Sequence, residues 1–193
     1  GTVLTSNDAG DSWTQQNGVI TTDETWGASE SPFHIVGHVV VGAGATLTIE
    51  PGVTVKFDPD KALEIEGTLI ARGTDSERIT FTSSIDSPSD SDSDYWAYIA
   101  FDQNQTPNSI PATFLGDGAG SFTDYVSGSI LEYCSVEYGG SLGNRVIKYA
   151  SYINHCTFSN NKKGVMVQFT ERDGDSDPIR LPVKVTNSTF NGT

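Results

Sequence analysis

Two short strings carry carboxylates at alternating positions. "SDSDSDYW" holds Asp90, Asp92 and Asp94, and "RDGDSDP" holds Asp173, Asp175 and Asp177. In a curled loop, Asp-x-Asp-x-Asp brings three carboxylates within reach of one hard cation. Calcium takes about six to eight oxygens, so three carboxylates with carbonyls and waters would suffice. Neither string completes an EF-hand: in the second, Pro178 stands where the Gly belongs and Lys184 where the bidentate Glu belongs. Calcium is the cofactor this sequence offers. The competing reading is a pair of solvated acidic loops, the first of them Ser-rich.

Other residues could serve a saccharide. Tyr95, Trp96, Tyr98, Tyr133 and Tyr138 offer ring faces for stacking, and Tyr95, Trp96, Tyr133 and Tyr138 are the candidate carbohydrate contacts. Aromatic residues at such positions are also ordinary core and corner residues. Glu132, Glu137, Arg145 and Lys148 fall at positions expected to be exposed, without forming a recognisable catalytic motif. Three sequons, at Asn104, Asn187 and Asn191, are candidate glycosylation sites.

Composition narrows the class. The 193 residues carry 25 acidic and 11 basic side chains, a net charge of −14. A field of that sign repels phosphate backbones and argues against nucleic-acid binding. No apolar run approaches the roughly 18 residues of a membrane span. Gly is frequent and Met occurs once, while Ile, Val, Thr, Phe and Tyr recur, a balance that favours strands and turns. The two cysteines are too few for a disulfide framework.

The elements that must position these groups form a repeat. Leu131, Cys134 and Val136 match Ile153, Cys156 and Phe158, and these match Val185, Ser188 and Phe190. The steps are 22 and 32 residues, the second lengthened by an inserted loop at 171–181. In each segment the last two anchors are two apart, as on one face of a strand. The first anchor stands three before the second, which predicts a bend from one sheet into the next. In the amino half Val39 and Val41 correspond to Leu63 and Ile65, and Val53 and Val55 to Ile79 and Phe81. A period near 22 residues with about three short strands per period predicts a parallel solenoid. Cys134 and Cys156 then stack inside it, reduced, in a file continued by Ser188, with His155 pointing outward.

"GATLTIEPGVTVKF", "LEIEGTLIARGT" and "INHCTFSNNKKGVMV" resemble coils of right-handed parallel β-helix proteins, the pectate-lyase-like and surface β-helix class. The resemblance covers about residues 33–193. It implies an all-β, right-handed parallel β-helix with coils of about 22 residues, and residues 1–32 are then an amino-terminal cap. Within the cap "SNDAGDSW" resembles the Asp-box turn of sialidases and other propellers, with Trp13 packing beneath it. Trp26 and Phe33 help cover the amino end. Enzymes of the class combine acidic calcium ligands with an Arg or Lys base on an exposed sheet, or place acidic pairs on neighbouring coils.

Three functions fit these residues: a non-catalytic extracellular or cell-surface module with a structural, adhesive or assembly role; a fragment of a polysaccharide lyase or glycoside hydrolase; and a carbohydrate-binding module. The first needs only the repeat. The segment 183–193 keeps the inward alternation, with Val183, Val185 and Phe190 facing in. The expected partners there are further coils of a longer β-helix, or another copy stacked head to tail into a filament.

Overall fold

A computed structural model describes residues 3–6, 12–89, 91–101, 112–114, 125–150, 152–166 and 184–191. Among these the chain is all-β, twenty short strands with a few single 3-10 turns. Most strands run parallel in curled sheets around one apolar core.

The strands form three parallel ladders. The first contains β4 (Phe33–Val41), β6 (Thr54–Phe57), β9 (Ile79–Ser83), β14 (Cys134–Glu137), β17 (Thr157–Ser159) and β20 (Thr189–Asn191). The second contains the end of β4, then β7 (Leu63–Ile65), β10 (Ile99–Phe101), β15 (Ile147–Lys148) and β18 (Val165–Met166). The third contains β3 (Glu24–Trp26), β5 (Thr46–Ile49), β8 (Thr68–Arg72), β13 (Ile130–Glu132), β16 (Tyr152–Asn154) and β19 (Lys184–Thr186). From β6 onward the chain visits the ladders in this order each time. At the amino end β2 (Ser12–Ile20) lies parallel to β4, and β1 (Val3–Ser6) pairs antiparallel with β2. Between β10 and β13 a small antiparallel hairpin joins β11 (Thr113–Phe114) and β12 (Tyr125–Ser127).

The sequence forms strands because β-branched and aromatic residues alternate with polar ones. Thr54–Phe57 and Ile79–Ser83 bury every second residue. Inward residues align one per strand. Phe33, Val55, Phe81, Val136 and Phe158 form one buried file, and Ile49, Ala71, Leu131 and Ile153 form another. Each large apolar side chain buried this way is worth about 1.5–3 kcal/mol. The expected correspondences of Val39 with Leu63, Leu131 with Ile153 and Val185, and Val136 with Phe158 and Phe190 are the observed registers.

The bend expected between Leu131 and Cys134 falls on Tyr133, at φ 49°. His155 and Asn187, at φ 51° and 50°, occupy the equivalent corners. Left-handed backbone at a non-glycine residue is unfavourable, so the corner must be held from outside. Arg78 does so: its guanidinium donates to the Cys134 carbonyl at 3.0 Å, the His155 carbonyl at 2.6 Å and the Ser135 hydroxyl at 3.2 Å. One side chain thus ties three neighbouring strands of the first ladder at their entry.

Cys134 and Cys156 are both buried and unbridged. Their thiols donate weakly to the Glu132 and Asn154 carbonyls, at 3.4 and 3.3 Å. Burial pushes the Cys134 thiol well up, away from the reactive thiolate. Thiol titration of native protein is therefore expected to label neither cysteine, and two groups should react after denaturant is added. Fast labelling without denaturant would mean that this file does not face the core.

Trp26 and Phe33, expected near the amino end, are buried and stack with centroids 4.9 Å apart. Trp13 lies edge-on to His34 at 5.7 Å, its indole N–H buried without a hydrogen-bond partner among the described residues. The rest of the Asp-box-like turn, residues 7–11, and Val183 lie outside the described residues.

Candidate functional site

The outer face of the second ladder brings a tyrosine, a lysine, a glutamate and an asparagine into one polar group. Glu64 on β7, Ala100 on β10 and Lys148 on β15 share one outward position in successive strands. Ala100 leaves a gap, and Tyr98, just before β10, fills it. Its hydroxyl donates to Glu64 Oε1 at 2.9 Å, and Lys148 Nζ lies 3.4 Å from its ring centroid. Asn144 completes the group, accepting from Lys148 Nζ at 2.9 Å while its own amide donates to the Ser141 carbonyl.

Burial is the main cause of both shifts here. It pushes the Tyr98 hydroxyl up to about 12, helped by the bond to Glu64 and that carboxylate's charge. It pulls the Lys148 amine down, with Glu64 opposing. A partly dehydrated amine gives up its proton more readily than a solvated one, while the aromatic face and Glu64 favour its charged form.

Alkaline behaviour follows from Tyr98. Its folded value lies above the ordinary 10, so its contribution is present below pH 10 and is lost as pH rises through about 12. Lys148 acts oppositely, because the unfolded chain binds its proton more tightly. The melting temperature of a Lys148→Met variant is therefore expected to fall between pH 10 and 12, and less so when Tyr98→Phe is added. An equal fall in both would remove Tyr98 as the cause.

The aromatic candidates separate. Trp96 is fully buried, stacked on Phe57 at 4.3 Å, and its indole N–H donates to the Glu137 carbonyl at 2.8 Å. Tyr95 is also buried, edge-on to Tyr138 at 6.2 Å with Lys162 over its ring. Neither ring offers a face to a sugar, because the chain turns inward at these two residues while the run before them stays at the surface. Tyr133 stacks on His155 at 4.5 Å, nearly parallel, so the outward His155 covers one of its faces. Tyr138 is half-buried.

The acidic candidates separate as well. Asp173, Asp175, Asp177 and Asp90 lie outside the described residues, as does the side chain of Asp92. Asp94 ends a short 3-10 turn, where it accepts from the Ser89 backbone N–H and from the Ser89 and Ser93 hydroxyls. These bonds, Ser89 first, hold its carboxyl below the ordinary range. Among the described residues no three His, Cys, Asp or Glu side chains stand close enough to hold a metal ion.

Glu132, expected to be exposed, is only 5% accessible. Arg72 Nε donates to it at 2.8 Å and Asn154 Nδ2 at 2.9 Å. Asn154 Oδ1 in turn accepts from Thr186 and Asn187. The covering comes from the third ladder's outer face, where Ile70, Ile130 and Tyr152 pack with Ala112 and Tyr125 of the inserted hairpin. Glu137 is half-buried, which raises its carboxyl, and Arg145 is exposed. Of the sequons, Asn191 is exposed, Asn187 spends its amide on Asn154, and Asn104 lies outside the described residues.

Sequence reasoning named Tyr98 and Lys148 separately and missed Glu64 and Asn144. The available signal was the shared outward phase of Glu64 and Lys148. Arg78 carried no local signal, since its partners stand 56 or more residues away.

No family model matches the chain, and no solved structure matches it. Among curated proteins, Protein bark beetle of Drosophila melanogaster is 47% identical over 68 residues. The match takes in 35% of this chain and 2% of the fly protein.

Proposed function

We propose that this chain is a right-handed parallel β-helix module of an extracellular or cell-surface protein, with a structural, adhesive or assembly role rather than a catalytic one. The observation that carries the reading is the constant order of ladders, with the inward residues of each strand in register with those of its neighbours. The polar side chains of that frame are mostly bonded from strand to strand, as in Arg78 and the Arg72–Glu132–Asn154 set, instead of converging on one reacting point. The fly relative's matched stretch is a small part of a very long chain, which suits a module repeated or embedded in a larger protein. The inward file continues into the last described strand, where Phe190 stacks on Phe158 at 4.9 Å.

Placed behind a secretion leader in animal cells, the chain is expected in the medium as folded protein. It should release neither reducing ends nor unsaturated sugars from neutral or acidic polysaccharides. Retention inside the cell, or turnover, would overturn the reading.

A second reading has its own observation. Lys148, whose amine is pulled down by burial and lies over the Tyr98 ring, would serve in it as the base of a polysaccharide lyase. Turnover abolished by Lys148→Met would select it. Calcium at Asp173, Asp175 and Asp177 belongs to both readings. Calcium is expected to raise the melting temperature and a chelator to lower it, and Asp175→Asn should remove the difference; identical midpoints would dismiss the site.

A further inference from the structure

We infer that Asn191 carries an N-linked oligosaccharide and that Asn187 does not. This names a modification of the surface module proposed above and rests on that reading, since the transfer takes place in the secretory pathway.

Both residues head an Asn-x-Thr triplet, "NST" at 187–189 and "NGT" at 191–193. The sequence ranks them equally, and the fold does not. Asn191 closes β20, in which Phe190 joins the inward file behind Phe158. Side chains of a strand alternate, so Asn191 points outward in the phase of Ser159. It is exposed, and its amide has no hydrogen-bond partner among the described residues.

Asn187 stands at a left-handed corner, φ 50°, in line with Tyr133 and His155. Its Nδ2 donates to Asn154 Oδ1 at 3.2 Å and lies 3.4 Å from His155 Nε2, an acceptor when that nitrogen carries no proton. Asn154 is 1% accessible, so the Asn187 amide lies against covered structure although solvent reaches the residue. The middle of the triplet is fixed as well: Ser188 Oγ donates to the Thr186 carbonyl at 2.8 Å and accepts from the Cys156 N–H at 3.1 Å.

In the transfer the amide nitrogen attacks C1 of a sugar carried on a lipid pyrophosphate. The N–C1 bond forms, the C1–O bond breaks, the lipid pyrophosphate leaves and the amide gives up one proton. The modified amide keeps a single N–H and gains a bulky, hydrated substituent. At Asn191 that substituent faces water. At Asn187 the remaining N–H cannot serve Asn154 and His155 together, and the sugar would have to leave between them. A chain modified there before folding loses these corner bonds, so the folded protein carries its sugar at Asn191.

The test expresses the full chain behind a secretion leader in animal cells, with Asn104→Gln so that only the two triplets report. Thr189→Val and Thr193→Ala each delete one triplet's hydroxyl and leave both asparagines in place. Digestion with an N-glycosidase, read by intact mass, is expected to release one oligosaccharide from the parent and from Thr189→Val, and none from Thr193→Ala. Carbohydrate lost with Thr189→Val, carbohydrate kept with Thr193→Ala, or a bare parent would each overturn the inference. Medium and cell lysate are read separately. A chain secreted bare ends this inference and leaves the module reading, whereas a chain held in the cell with its sugar at Asn191 does the reverse.

Discussion

Replacing Trp96 by alanine is expected to destabilise the protein by about 3–5 kcal/mol, the usual cost of emptying a large aromatic site in a core. The indole has no exposed surface and stacks on Phe57 at 4.3 Å. It also makes the turn after β14 possible. A side-chain carbon on Gly139 would meet the indole ring at 2.8 Å, so the two were built for direct contact. The Trp96 carbonyl accepts from Gly140 and Ser141, at 2.9 and 3.0 Å. Alanine would leave a cavity between two turns and an unpaired Glu137 carbonyl. Trp96→Phe keeps much of the stacking and should cost roughly half as much. Urea midpoints at constant slope measure both. A loss below about 1 kcal/mol for the alanine variant would place the indole at the surface.

Glu132→Ala is the second large effect, about 2–3 kcal/mol. The carboxylate is nearly inaccessible and receives Arg72 and Asn154. Its removal strands the Asn154 amide in the interior. Arg72 is 37% exposed and recovers part of its hydration, which keeps the loss below that of a fully buried pair. Adding Arg72→Ala to Glu132→Ala should cost less than the sum of the single losses, because the two share one interaction. Strict additivity would show that the ion pair contributes nothing and that the Asn154 bond carries the whole effect.

The two sites differ in how far they could be read in advance. The 22-residue step from Leu131 to Ile153 and the three-residue offset to Cys134 are local patterns. Each maps onto a strand register or a corner that the structure contains. Cys134 and Cys156 were legible for the same reason: equal phase in equal repeats means equal depth. Trp96 had two readings, a ring for a sugar or an ordinary core residue, and the structure gives the second; nothing local decided between them, since it follows "SDSDSD", an acidic run of surface type. The run is surface, but its last residues turn inward to Phe57. Glu132 was misread because its outward phase predicts solvent, whereas the hairpin holding Ala112 and Tyr125 covers that stretch of the third ladder. Nothing near position 132 announces a cover supplied by residues near 112 and 125.

The sequence by itself determined the class of element, the repeat, the inward files and the sign of the surface charge, because these follow from alternation and composition within a few residues. Only the tertiary structure decided which outward residues meet water. It joined Glu64, Tyr98 and Lys148, and it ran Arg78 across three strands at the corner. In a parallel ladder each neighbour comes from tens of residues away. Contact there depends on the lengths and paths of the intervening loops, and those lengths do not repeat.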